Sequence, residues 1–284
     1  IAPSELAGFG QGALELAEEM DRSGDLHFQN GLFFYPSHDP PAPKTGIRDA
    51  GGDPIQLVVG ADTLGEMEHW RALQSAHEGA IYLHRGASYV VRDLNLDGRI
   101  ATLEAGEFDY YTRSLVQAAI EPKIVLDTKH LGPWTAEIAG LEVTESTIAF
   151  RKIAHDGGRL MGVEPLELPA QSFRTIGIQI RLPAPAPDEE IAEVVAAAHG
   201  VEHALMAVAP LLAGCDRADL GAAWYGAFPG AVGPVVFVFD HTPGGIGLCD
   251  SLFRSLTLWV EAAHTLLAGC SCADGCPACL LSSR

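Results

Sequence analysis

The 284-residue sequence predicts an α+β fold in three parts, and three observations carry that expectation. An apolar pattern of helical spacing runs into a tight hairpin signal within 1–43. Eight short strand-like runs fill 44–185. Past the stiff stretch Pro183-Ala184-Pro185-Ala186-Pro187 the pattern at 186–284 turns mainly helical and ends in four crowded cysteines.

Leu6, Phe9, Ala13, Leu14, Leu16, Ala17 and Met20 recur at helical spacing over 4–22, and Ser4 can cap the first turn. Two short strands, 26–28 and 32–35, follow around Asn30-Gly31, a hairpin dipeptide. A helix followed by a small hairpin is the tail of a winged-helix unit. The Pro-rich stretch 36–43 then marks a boundary. The runs 55–59, 80–83, 88–91, 99–103, 123–126, 136–143, 147–150 and 173–180 are rich in β-branched and aromatic residues, with a short helix at 65–73. So many short strands predict a barrel-like or curled antiparallel module. After a second boundary near 185, an apolar helix over 189–209 is capped by Asp188 and ends near Pro210; 235–239 is a buried strand, and a further helix runs from Gly244 to about 268.

Eighteen Lys and Arg stand against 37 Asp and Glu, a net charge of −19 that repels phosphates over most of the surface. With 48% hydrophobic residues, no run of about 18 uncharged apolar residues and no basic-then-apolar leader, the chain is expected to be soluble, cytoplasmic and without a membrane partner. Its start at Ile1 rather than Met fits a segment of a longer protein.

Cys270-x-Cys272-x3-Cys276-x2-Cys279 places four soft ligands within ten residues, a spacing that suits a metal better than two disulfides. Tetrahedral Zn²⁺ is the expected occupant, ahead of an iron–sulfur cluster or free thiols, and with four thiolates no position is left for water. The site is therefore structural. Gly275 and Pro277 allow the tight turns, and backbone N–H groups should point at the sulfurs to offset their excess charge. Cys215 and Cys249 are expected to be buried small hydrophobes; His264 is the substitute ligand should one cysteine not bind.

Two other motifs attract attention. Asp93-x-Asn95-x-Asp97-Gly98-x5-Glu104 fits the calcium-loop pattern, but strand-like flanks predict a hairpin turn instead. Asp240-His241-Thr242-Pro243-Gly244-Gly245-Ile246-Gly247 lies between a strand and a helix. It lacks phosphate-loop spacing, so tight packing with Asp240 capping the turn is expected ahead of anion binding. No Ser-His-Asp order, paired-carboxylate motif, H-E-x-x-H or Walker loop is visible, so the segment alone is not expected to be catalytic.

The stretch His77-Glu78-Gly79-Ala80-Ile81-Tyr82-Leu83-His84-Arg85-Gly86, then Tyr89-Val90-Val91 and Asp109-Tyr110-Tyr111-Thr112, carries a resemblance over nearly the whole chain. With Glu202-His203-Ala204-Leu205, Cys215-Asp216-Arg217-Ala218-Asp219-Leu220-Gly221, the Phe239 to Gly247 turn and the terminal cysteines, it resembles the C-terminal region of MrfA-type superfamily 2 DNA helicases. The resemblance implies a winged-helix remnant, a β-rich module and a C-terminal zinc-binding domain. It also implies upstream ATPase domains using ATP and Mg²⁺, and a parent acting as a 3′-to-5′ translocase in bacterial DNA repair on single-stranded or tailed duplex DNA. Two departures stand out: His77-Glu78-Gly79 replaces the family's His-Pro-Gly, and Gly221-Ala222 replaces Gly-Gly.

If DNA is contacted, cations and stacking rings of the middle region should supply the contacts: Arg85, Tyr82, Tyr89, Arg92, Arg113 and Lys123. After Pro187 there are three Arg and no Lys against eleven Asp and Glu. That balance favours a scaffold there, and leaves a non-enzymatic, zinc-stabilised protein-docking module as the alternative function.

Overall fold

The computed structural model describes residues 1–6, 8, 12–36, 54–186, 190–272, 275, 276 and 279. The connection 37–43, Asp188 and Pro277 lie outside the described residues. The chain divides into two units, 1–51 and 52–284.

In the first unit, α1 (Pro3–Leu6) and α2 (Ala13–Ser23) precede β1 (His27–Gln29) and β2 (Leu32–Phe34). The helix expected over 4–22 is thus in two pieces. Gly12, at φ 86, starts α2 in place of a Ser4 cap, because a left-handed residue cannot continue a helix. The hairpin is as expected: β1 and β2 are antiparallel, and both turn residues, Asn30 (φ 55) and Gly31 (φ 80), take the positive φ of a tight primed turn. Leu6, Ala17 and Phe33 form its small core.

The second unit opens with a five-stranded sheet. Its strands are β3 (Ile55–Val59), β4 (Asp62–Met67), β5 (Ile81–His84), β6 (Ala87–Asn95) and β7 (Ile100–Ala105), in the order β4-β3-β7-β6-β5. Only the β3–β7 pair is parallel. Alternate residues Ile55, Leu57, Val91, Ala101 and Leu103 point to one face, where Ala72 and Ala76 of the α3 region (His69–Ser75) cover them. The helix expected at 65–73 starts later, because 62–67 pairs with β3 and buries Met67; sheet pairing overrides local propensity there. The calcium-like segment is a hairpin turn between β6 and β7, and Glu104 is held by Arg92 at 2.7 Å rather than aimed at the loop.

A six-stranded antiparallel sheet follows. Its dominant feature is a hairpin of β8 (Tyr110–Leu131) and β9 (Trp134–Ala154), which pair along their length with irregularities near residues 115, 122 and 125. The far edge of β9 pairs with β10 (Leu160–Pro165) and then β11 (Gln171–Arg181), which continues to β13 (Val235–Asp240) and β12 (Leu220–Tyr225). Short runs at 123–126, 136–143 and 147–150 marked only parts of this hairpin, because much of β8 is exposed and lacks an apolar rhythm. The Tyr225 hydroxyl donates to the Ala118 carbonyl at 2.9 Å and accepts from the Ile120 amide at 3.1 Å. It thereby ties β12 to β8, the two outer strands, and makes the sheet barrel-like.

Inside the curl lie Ile120, Leu141, Val143, Val235, Phe237 and Phe239. The opposite face carries Ile138, Ile178, Ile180, Val236 and Val238 under the helices α4 (Ile191–Ala213), α5 (Leu248–Arg254) and α6 (Leu256–Ala268), with Trp259 donating to the Leu205 carbonyl at 2.9 Å. The sheet therefore continues past 185, where the sequence placed a division: β11 and β13 are neighbours, and the Pro-rich stretch leads out to α4 and back. The single helix expected from Gly244 to 268 is interrupted at Ser255. By length and composition α4 is apolar enough to cross a membrane, but Ala198, Ala204, Leu205, Met206, Val208 and Ala209 are buried in this core.

The two departures from the family pattern are both explained. Ala80 N–H donates to the His77 carbonyl at 3.0 Å across a turn whose third residue, Gly79, has φ 80. Glu78 occupies the second position, where proline is favoured but not required. At Gly221 an added Cβ would lie 2.2 Å from the Phe239 ring, whereas Ala222 packs without such conflict against the helix-side core. Gly221→Ala is expected to cost about 3 kcal/mol or more in chemical denaturation. Glu78→Pro should be neutral or raise stability by about 0.4–1 kcal/mol, read the same way; a clear loss would show that the turn differs from this description.

Candidate metal centre

The cysteines end a chain of positioning contacts that begins at Asp240, the last residue of β13 and fully buried. One carboxylate oxygen accepts from the amides of Ile246 (2.7 Å), Gly247 (2.9 Å) and Leu248 (3.2 Å), and the other from Cys249 (2.8 Å). Leu248 and Cys249 are first-turn amides that α5 cannot satisfy within itself, and Ile246 and Gly247 belong to the turn that leads into it. The Thr175 hydroxyl on β11 donates to the Asp240 carbonyl at 2.7 Å and fixes the other side of the turn. Asp240 caps the turn, as the sequence predicts, and its carboxylate already takes the amides an anion would need. Buried Leu252, Phe253 and Leu256 then fix α5 against α6, and α6 runs directly into Cys270, whose amide donates to the Leu267 carbonyl at 3.2 Å.

The four thiols converge. Sγ of Cys270 lies 3.3 Å from that of Cys272 and 3.5 Å from that of Cys276, while Cys279 lies 3.4 Å from Cys272 and 3.7 Å from Cys276. Zinc–sulfur bonds of about 2.3 Å in a tetrahedron place sulfurs about 3.8 Å apart, so the set is slightly contracted but of the right shape. The separations are far beyond a disulfide bond, and all six cysteines are free. Cys279 is buried and the other three are half-buried. The Cys276 amide donates to the Cys279 sulfur at 3.3 Å and draws that thiol down to about 7; Cys272, sharing protons first with Cys270 and then Cys279, is pushed up to about 12. An amide pointing at sulfur offsets the excess negative charge of a thiolate cluster, as the sequence predicts. Zn²⁺ held by Cys270, Cys272, Cys276 and Cys279 would cross-link the tail, and the closed ligand set leaves it no open position for catalysis.

The remaining predicted residues are scattered. Cys249 is fully buried, its thiol donating to the Val238 carbonyl at 3.4 Å, with burial and then Asp240 raising its pKa far above that of a free thiol. Cys215 is half-buried against the helix-side core, and exposed His264 on α6 is not grouped with the cluster. Tyr82 and Tyr89 are register partners on β5 and β6 and pack partly on the five-stranded core. Arg85, at φ 50, is exposed in the turn between them. The Ile81 amide donates to Thr112 Oγ1 at 2.8 Å, which brings the start of β5 beside Thr112 on β8, the residue before Arg113. Lys123 lies ten residues further along β8, roughly 33 Å at strand spacing, and is held at 2.7 Å by both Glu121 and Glu142. Arg92 is paired with Glu104. The six therefore do not form one patch: Tyr82, Arg85 and Tyr89 share the β5–β6 hairpin, Arg113 lies on β8, and Arg92 and Lys123 are engaged by carboxylates.

A second group was missed from sequence. His199, Glu202 and His203 share one face of α4, with their ligand atoms within 4.8 Å of one another. The i, i+3, i+4 spacing of His199-Gly200-Val201-Glu202-His203 was the available signal.

Asp240→Asn, which removes the charge and turns an acceptor into a donor against four amides, should cost about 3 kcal/mol in thermal or denaturant melts. Cys276→Ser, or chelation of the metal from the intact chain, should lower the melting temperature and release one zinc per chain by elemental analysis. A chelated chain with an unchanged melt would contradict the structural assignment.

Residues 201–280 match the MrfA Zn-binding domain. The chain is 27% identical over 279 residues to the uncharacterized ATP-dependent helicase YprA of Bacillus subtilis, which covers 95% of this chain and 37% of that protein. It is 24% identical over 263 residues to the ATP-dependent helicase HRQ1 of Saccharomyces cerevisiae, covering 86% of this chain and 24% of that one. A crystal structure of the DUF1998 helicase MrfA bound to DNA matches with a TM-score of 0.59 at 26% identity, over 94% of this chain and 36% of that chain. The chain thus spans about a third or less of these relatives. The cysteine cluster, the curled sheet and these likenesses together make the chain similar along most of its length to the C-terminal region of MrfA-type helicases, with residues 201–280 matching the MrfA Zn-binding domain.

Proposed function

We propose that the chain serves as the C-terminal accessory region of an ATP-dependent DNA helicase, a 3′-to-5′ translocase of DNA repair in the bacterial cytoplasm. In this role it guides single-stranded or tailed duplex DNA while ATP and Mg²⁺ act in upstream motor domains. The observation that carries the proposal is the match along 94% of the chain to a helicase whose crystal structure is described as bound to DNA. The β5–β6 hairpin and the start of β8 supply the contacts best suited to a single strand. Arg85 stands exposed at the hairpin tip, Tyr82 and Tyr89 offer rings, and Arg113 follows the Thr112 that bonds the start of β5. Phosphate contacts from Arg position a strand, and rings stack its bases without sequence preference. The zinc cluster acts as a staple for the last helices, not as a DNA contact.

A zinc-stabilised protein-docking module is the second proposal, favoured by a specific observation. Two of the four candidate cations, Arg92 and Lys123, are held at 2.7 Å by Glu104 and by Glu121 and Glu142. On a surface of net charge −19 that pairing weakens attraction to phosphate.

The two readings separate in a titration of fluorescent single-stranded DNA at several salt concentrations. The strand-guiding role predicts binding that weakens with salt, and a loss of about tenfold in Arg85→Ala/Arg113→Ala with a shallower salt slope. Equal binding by the double variant and the parent chain would remove these residues from the interface. No salt-dependent binding at all would favour the docking module.

A further inference from the structure

We infer that His199, Glu202 and His203 on α4 form a second cation site, separate from the four cysteines, which takes a zinc-class divalent ion and leaves at least one coordination position open. The Nε2 atoms of His199 and His203 face each other at 3.0 Å. Two imidazoles bound to one ion at about 2.0–2.1 Å place their nitrogens roughly 2.9–3.4 Å apart for angles between square and tetrahedral. The Glu202 carboxylate lies 4.0 Å from His203 Nε2, and all three ligand atoms fall within 4.8 Å of one another. A modest rotation of the side chains is enough to bring each to bonding distance.

The setting fits an ion better than a surface histidine pair. Glu202 is fully buried and forms the floor, His203 is 16% exposed at its side chain, and His199 is exposed at the mouth. A buried carboxylate beside two imidazoles is a hard-and-borderline donor set, the kind that selects zinc and its neighbours over calcium or magnesium. Helical spacing alone does not aim the rings. His199 is stacked on Trp224 of β12 with centroids 4.9 Å apart and planes 20° apart, which holds its nitrogen toward His203. Three protein ligands leave the solvent side for water or an exogenous donor, in contrast with the closed thiolate set.

Two features limit the affinity. Nδ1 of His203 is buried and makes no hydrogen bond among the described residues, so packing rather than an acceptor behind the ring fixes its orientation. The charge of Arg217, which acts against a positive charge at His203, would act equally against a cation bound there. The second site should therefore fill after the cysteine cluster.

The test uses the full 284-residue chain carrying one equivalent of Zn²⁺, titrated with Co²⁺ and followed by visible absorption. The expected result is about one further equivalent, with ligand-field bands but without the near-ultraviolet thiolate charge transfer of cobalt in the cysteine cluster. His199→Gln, altering only the exposed ligand, should weaken that binding about tenfold or more while leaving the first zinc and the thermal melt unchanged. His203→Gln should do the same if it folds, and His264→Gln on α6 should have no effect. The inference is overturned if no second equivalent binds, if binding persists unchanged in His199→Gln, or if the second ion shows thiolate charge transfer.

Discussion

The buried carboxylate of Asp240 is the contact on which the C-terminal half depends. A strand that ends in the middle of a packed core must hand the chain to a helix whose first amides have no partners within it. Asp240 supplies acceptors to four successive amides at 2.7–3.2 Å while its own carbonyl is held by Thr175. A charge sealed at 0% exposure is tolerated only because every one of those bonds is made. Once α5 is set, α6 and then the cysteines have a fixed origin, so a sheet residue governs where a metal cluster forms some thirty residues later.

That ordering makes the sheet the frame and the zinc a closure. The curled sheet holds two cores, one inside its curve and one beneath α4, α5 and α6. Among the described residues, specific polar contacts join the five-stranded sheet and α3 to it. His77 lies between Glu78 and Ser114, Gln74 bonds Glu145 at 3.1 Å, and His241 bonds the same carboxylate at 3.1 Å while its ring meets Trp70 edge-on. Burial opposes a charge on His241, but Glu145 outweighs it and raises that pKa, so this link is strongest at low pH and fades as pH rises through the raised value. Burial instead lowers the pKa of His77 and keeps it neutral, so its contribution weakens as pH falls through about 6.5. The two histidines give the junction opposing pH dependences.

Features written in short-range chemistry were legible in the sequence. The Asn30-Gly31 hairpin, the fully apolar 235–239 strand, the capping role of Asp240 and the cysteine spacing each follow from local rules, and each is found in the structure. What escaped depends on partners distant in sequence. β4 is a strand only because β3 pairs with it, and β8 is a strand because β9 accompanies it for most of its length, although the apolar rhythm of β8 is weak. The pairing of β11 with β13 across the region near 185 escaped for the same reason, since a proline-rich segment reads alike whether it links two domains or connects neighbouring parts of one sheet. His199, Glu202 and His203 went unread because three polar residues at helical spacing signify little until a ring such as Trp224 is known to lie against them.

The central claim is hierarchical: the curled sheet stands without metal, whereas α6 and the cysteine turn need it. Hydrogen exchange of the amides, compared between the zinc-loaded chain and the same chain after chelation, addresses this directly. The account predicts faster exchange in α6 and the residues beyond it on chelation, with protection of β9, β11 and β13 retained. Uniform loss of protection across the sheet, or no change in α6, would contradict it.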